Sequence, residues 1–266
     1  MFVAIPFEAD RIAHINELAA FIRQANQRGI QIWSVDGDPN MVRPQEQDAA
    51  VKRVQAYVRY NSEVEPSARL HGMQFDVEPY VLPDYAEKEA EYERHYAELI
   101  QKLHEASAGL PLEMVVPFWW EDKQSLMQAL ERHADSLAVM DYRTEPAQIV
   151  RFALPFLDWA TTHGKKVRIA LEAGPVGEEI QRRYAKADSG ELWIVNDDKQ
   201  SWMVLLKEAA RNPNGPAFKR IAELRIDGSA TTFHANPDKL IKLLPQLETD
   251  FSAWSSFQGV ALHELK

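Results

Sequence analysis

The chain has 266 residues and no cysteine, which removes disulfides, thiolate nucleophiles and cysteine-ligated metals from consideration. Nor does it have a long apolar run: nothing approaches the roughly 20 residues of a membrane-spanning helix. Residues 1–7, MFVAIPF, are too short for a secretory leader and lack its basic start. With neither feature in this chain, the expected compartment is cytoplasmic by default, unless the N-terminus is truncated. Positive charge is also scarce, with 30 Lys and Arg against 40 Asp and Glu, a net charge of −10. A nucleic-acid backbone needs clustered cations, so nucleic acid is not an expected partner. Neutral and cationic ligands remain compatible with the charge, although an acidic surface also serves plain solubility. Histidines in H-x-H or HExxH spacing do not occur, so neither a metal nor a cofactor is expected.

What is present is alternation. With 45% hydrophobic and 26% charged residues, the composition is that of an ordinary globular chain. Apolar strand-like runs (FVAIPF, IQIWSV, LHGMQFDVE, LEMVVPF, SLAVMDY, VRIALE and GVALHEL) are separated by stretches of helical spacing. Helices are predicted over residues 8–29, 45–60, 84–108, 123–133, 146–163 and 237–251. Such alternation predicts βαβ units and a parallel sheet, here an α/β barrel of the (β/α)8 TIM type forming one domain over 1–266. Seven strands are countable where a closed barrel needs eight. Either the eighth comes from the chain between about 177 and 236, or a first βα unit lies upstream of Met1. The rhythm breaks in that stretch, which reads as a small α+β insertion, with strands at 191–195, 224–226 and 230–233 and a helix near 202–210.

In a parallel barrel the chemistry gathers at the carboxyl ends of the strands. Those ends carry Asp36 and Asp38, Asp76 and Glu78, Trp119 and Trp120, Asp141 with Tyr142 and Arg143, Glu172, and His263 with Glu264. Acids and aromatics dominate. Two carboxylates are what glycosidic cleavage requires, one to donate a proton and one to stabilise the anomeric carbon, and aromatic faces suit the apolar C–H faces of sugars. Several of these residues have a plainer use. Asp36, Asp38 and Glu264 also fit N-caps of following helices. Trp119 and Trp120 alternate in direction, so one of them is expected to pack inside, and His263 also fits a satisfied interior histidine. Asp76 and Glu78 stand apart, because two acids on one side of an apolar strand are costly unless they line a polar cavity.

HGMQFDVE (residues 71–78) resembles the DGxDxDxE signature of chitinase-like, family 18 glycoside hydrolases, with Gly72, Asp76 and Glu78 on matching positions. Met140-Asp141-Tyr142-Arg143 resembles the later MxYD motif, matching at Met140 and Tyr142. The resemblance implies a barrel whose second strand is FVAIPF, a carbohydrate partner, Glu78 as general acid, Asp76 as the group orienting an N-acetyl substituent, and Tyr142 as a positioning group. His71, Gln74 and Arg143 depart from the pattern, which has aspartates there, and the last strand lacks the tryptophan that floors the sugar pocket in many members. A mechanism with two protein carboxylates stays open, Glu78 acting with Glu172, Asp141 or Glu264, and Arg143 pairing with a carboxylate or an anionic substituent. Two rival readings use the same strand ends: a barrel binding a hard cation through Asp76, Glu78, Asp141, Glu172 and His263, and a barrel that binds sugar without cleaving it. The sequence leaves oligomeric state open.

Overall fold

A computed structural model describes residues 1–196 and 200–264. The strands and helices follow in the order β1 (Phe2–Ala4), β2 (Phe7–Glu8), β3 (Arg11–Ile12), α1 (Ile15–Asn26), β4 (Trp33–Asp36), α2 (Pro44–Glu63), β5 (Gly72–Phe75), α3 (Tyr85–Ala106), β6 (Leu112–Pro117), α4 (Gln124–His133), β7 (Ser136–Met140), α5 (Pro146–His163) and β8 (Lys166–Glu172). Four further strands come next, β9 (Glu179–Ala187), β10 (Gly190–Asn196), β11 (Ser201–Ala210) and β12 (Ala217–Ile226), and the chain returns through α6 (Pro237–Phe251) to β13 (Phe257–His263).

Seven strands pair in parallel in the order β1-β4-β5-β6-β7-β8-β13. This is a curled α/β sheet of the TIM type, one strand short of closure, and all seven predicted runs contribute to it. Among the described residues no strand joins β1 to β13, so the barrel is open along that seam. The residues at 179–226 do not fill it. The described strands there form a separate antiparallel sheet, β11-β10-β12-β9, and no helix occurs among the described residues of this stretch. The helix expected near 202–210 is strand β11. Residues 230–233 form no strand beyond the isolated Glu172–Thr232 bridge, and they hold to the barrel through that bridge, the Thr232 hydroxyl on the Gly174 carbonyl (2.6 Å) and the buried Phe233 ring. The first helix also starts later than its spacing suggests, because Phe7–Ile12 folds into a two-stranded hairpin whose turn puts Ala9 at φ 55°.

Strand alternation builds two interiors. Met73 and Phe75, Met114 and Val116, Leu137 and Val139, and Val167, Ile169 and Leu171 point outward into one continuous core with the helices. The opposite faces turn into the barrel, where only Val115, Ala138 and Met140 form a small apolar cluster, flanked by Tyr80 and Tyr142. Below that cluster lies a polar floor. Glu113, fully buried, accepts hydrogen bonds from Gln74 Nε2 (2.8 Å), Ser136 Oγ (2.9 Å) and Arg168 Nε (3.0 Å). The Arg168 guanidinium also lies over the Phe2 and Trp33 rings. Above the cluster, small side chains leave room.

Candidate active site

That room is a cavity of about 280 Å³ inside the barrel. Gln74, Val115, Ala138 and Ala170 line its depth, and Asp76, Tyr142, His263 and Glu264 line its upper end; Phe2 and Ala261 border it on the two strands flanking the seam. Alanines at 138, 170 and 261 explain the volume, since larger residues on these inward positions would fill the barrel as side chains ordinarily do.

Asp76 follows directly on β5, and its position is set by backbone: its N–H donates to the Asp36 carbonyl at 2.8 Å. Gly37 is required beside it, because a Cβ there would collide with the Asp76 carbonyl. Oδ1 of Asp76 is buried without a hydrogen-bond partner. Burial, followed by the neighbouring Glu78, pushes the Asp76 carboxyl up to about 6, with His263 acting in the other direction. Glu78 lies two residues on, half-buried, where the strand has given way to a 3-10 turn at Pro79–Val81. It accepts a hydrogen bond from the Tyr80 hydroxyl. The two acids are therefore electrostatically coupled, but only Asp76 faces the cavity.

A second constellation comes from the other side of the barrel. Glu172, at the end of β8, is 7% exposed. Its Oε1 accepts from the Gly174 N–H at 2.6 Å, and its Oε2 lies 2.8 Å from His263 Nδ1 at the end of β13. His263 stacks nearly parallel on Tyr142, with planes 7° apart, and the tyrosine hydroxyl is 3.4 Å from the same Nδ1. Burial, then the Asp76, Glu172 and Glu78 carboxylates, raise the Tyr142 phenol above its ordinary value, so it stands as a neutral donor at the cavity. Glu264 closes this side, packed so closely over Gly174 that a Cβ there would strike it.

Other predicted residues are placed elsewhere. Asp36 is held by Arg53 (2.9 Å) and Tyr57 (3.1 Å) of α2, and Asp38 caps the Pro39–Val42 turn through the Asn40 N–H (2.7 Å). Both line a separate surface cleft together with Asn40 and Glu46. Trp120 does not face a ligand: it is 1% exposed and packs edge-on against Tyr96 and Tyr80. Trp119, its neighbour, turns outward, 48% exposed, over Tyr80 and Phe118. Arg143 stacks over Phe118 and Phe152 and donates to the Tyr142 carbonyl, so it does not take the expected carboxylate partner. Asp141 is fully buried away from the cavity lining, with neither oxygen hydrogen-bonded, and burial pushes it up to about 8 despite the opposing Arg143 charge. Among the described residues no group of three or more His, Asp or Glu side chains is arranged to hold a metal ion, and no helix is long and apolar enough to cross a membrane.

Tyr80, Gln74 and Glu113 were not anticipated. A lone acid inside the apolar run LEMVVPF was the one available signal for Glu113; nothing in the sequence marked Tyr80.

No family model matches the chain, and no curated protein matches it. Among solved structures, a family 18 chitinase from Cycas revoluta in complex with (GlcNAc)3 is 11% identical, over 93% of this chain and 80% of that one, at a TM-score of 0.47. Catalytic domain 2 of a group II chitinase from Ostrinia furnacalis is 13% identical over 98% and 79%, at 0.43. The glycoside hydrolase domain of PelA from Pseudomonas aeruginosa is 12% identical over 59% and 73%, at 0.42.

Proposed function

We propose that the chain is a glycoside hydrolase that cleaves a saccharide by carboxylate acid/base chemistry at the mouth of the barrel cavity. The observation that carries this reading is the Asp76 carboxyl, which lines an open cavity, keeps one oxygen buried without a partner, and is raised to about 6 by burial and by Glu78. Two neighbouring acids, one of them raised well above the ordinary carboxylate range, suit proton transfer to a leaving oxygen. In this reading Glu78 donates a proton to the leaving oxygen as the glycosidic C–O bond breaks, and a water then bonds to the anomeric carbon and returns a proton to Glu78. Asp76 faces the positive charge developing at the anomeric carbon, and Tyr142 donates a hydrogen bond to the bound sugar. The exposed Trp119 ring offers an apolar platform at the rim, and His263 with Glu264 borders the other side.

Glu78→Gln keeps the shape and removes the proton. Turnover on a panel of aryl glycosides and amino-sugar polysaccharides is expected to fall by roughly 10²–10⁴-fold, with the circular dichroism spectrum and thermal midpoint unchanged. Full activity in that variant would rule the assignment out. A second reading has a specific observation behind it: the Tyr80 hydroxyl occupies Glu78, and Gly174 with His263 occupies both oxygens of Glu172. A barrel that only binds sugar would show saccharide affinity without turnover, the same in Glu78→Gln as in the parent chain.

A further inference from the structure

The β9–β12 sheet has two edges of opposite character. β9 presents Arg182, Arg183 and Lys186 along its length, the charged kind of edge that resists pairing with other chains. β11 presents Trp202-Met203-Val204-Leu205-Leu206, five apolar residues in succession. Of these, Trp202 is 51% exposed, Met203 78%, Val204 37% and Leu205 58%. β11 pairs with β10 on one side; among the described residues no strand lies on its other side. A long apolar edge without a charge or proline in its centre is a template for another strand.

We propose that β11 pairs with β11 of a second copy, joining two four-stranded sheets into one antiparallel sheet across a twofold axis at Val204. A twofold that relates neighbouring antiparallel strands stands perpendicular to the sheet, so paired residues share a face and one residue meets its own copy. The apolar run is centred on Val204, so that register places Val204 against the partner's Val204, Met203 against the partner's Leu205 and Trp202 against the partner's Leu206. Ser201 then faces the partner's Lys207. Every cross-strand pair is apolar on apolar or polar on polar, and no like charges oppose each other. Charge points the same way: β11 carries one Lys and one Glu, net zero, in a chain of −10, so two copies meet here without local repulsion. Another protein would need its own matching apolar strand, whereas a second copy has it by symmetry. The pairing covers one strand's length, at the small end of interface sizes, and is therefore a weak dimer with micromolar affinity.

Sedimentation velocity across a concentration series should show the full chain passing from monomer to dimer. Met203→Lys with Leu205→Lys, both on exposed positions, sets lysine against lysine at two sites and should weaken the dimer by at least about tenfold. Because the chain has no cysteine, Val204→Cys gives a single thiol that a short bis-maleimide should link to its own copy. The control is Ile241→Cys on α6, at a position 64% exposed, which should stay unlinked. The cysteine variant decides the question even if the double lysine variant misfolds. A chain that remains monomeric, or a dimer that neither links through residue 204 nor responds to the lysines, overturns the proposal.

Discussion

The barrel interior holds buried carboxylates at two levels, and they live under different rules. At the floor, Glu113 has no exposure, and three donors converge on it from β5, β7 and β8. At the mouth, Asp76 keeps an unpartnered buried oxygen, and just outside the lining Asp141 keeps two. Desolvation is charged to all of them. Of these three acids, Glu113 alone has that cost offset by a hydrogen-bonded ion pair; Glu172 at the mouth is likewise partnered, by the Gly174 N–H and His263. The difference separates a carboxylate that holds strands together from one whose unmet capacity is available to a proton or a ligand.

The largest expected effect tests the floor. Glu113→Ala strands the Arg168 guanidinium and removes the acceptor for Gln74 and Ser136, and breaking a buried pair in this way costs about 3–5 kcal/mol. A urea denaturation midpoint measures it. Replacing both charges, Glu113→Leu with Arg168→Met, should recover most of that loss, since a hydrophobic pair of similar volume replaces a buried ion pair at little cost. A loss below about 1 kcal/mol for the single variant would place Glu113 in the same class as the surface acids and dissolve the contrast.

The next effect tests the unpartnered acids through pH. Asp141 is raised from 3.8 to about 8 in the folded chain, chiefly by desolvation. Between those values the folded state retains a proton that the unfolded state has lost. Its contribution is therefore harmless below pH 4, and stability falls as pH rises through the window, by at most about 1.4 kcal/mol per pH unit. Above pH 8 this contribution is flat. Asp76, raised to about 6, adds a similar fall that ends two units earlier. Asp141→Asn cannot ionise, so its stability should gain on the parent chain steadily between pH 5 and 8. Parallel stability curves for the two proteins would show that Asp141 is ionised and paired after all.

How much of this could be read from the sequence depended on which force placed each residue. The seven barrel strands were legible because they are apolar runs set off by stretches of helical spacing, some of them closed by a glycine, as α5 is at Gly164 with φ 65°. β11 was not. Leu205, Leu206, Lys207, Ala209 and Ala210 are helix formers by preference, and pairing with β10 overrides that preference. At the site, the convergence of Asp76, Tyr142, His263 and Glu264 on one cavity follows from strand ends alone. The fate of Arg143 does not, because its stacking on Phe118 and Phe152 joins a strand end, a 3-10 turn and a helix. Trp120 is packed inside for a related reason, because Tyr96 of α3 reaches it first, while Asp36, tied by Arg53 and Tyr57 of α2, lines a cleft apart from the barrel cavity.

The smallest expected effect sharpens the contrast from the ligand's side. Trp119 follows the carboxyl end of β6 with nearly half its surface open, touching Tyr80 and Phe118 edge-on. Trp119→Ala gives up little packed area, so its cost to stability should stay near 1 kcal/mol or below. If the ring receives a sugar face, the same variant should weaken oligosaccharide binding by roughly fivefold to tenfold, about 1 kcal/mol in calorimetry, and Trp119→Phe should restore part of it. Glu113→Ala, compared at a temperature where it remains folded, should do the reverse: a large loss of stability with affinity little changed. Were both variants to lose affinity in step with stability, floor and mouth would form one cooperative unit, and unmet hydrogen-bonding capacity would no longer mark which acids face a ligand.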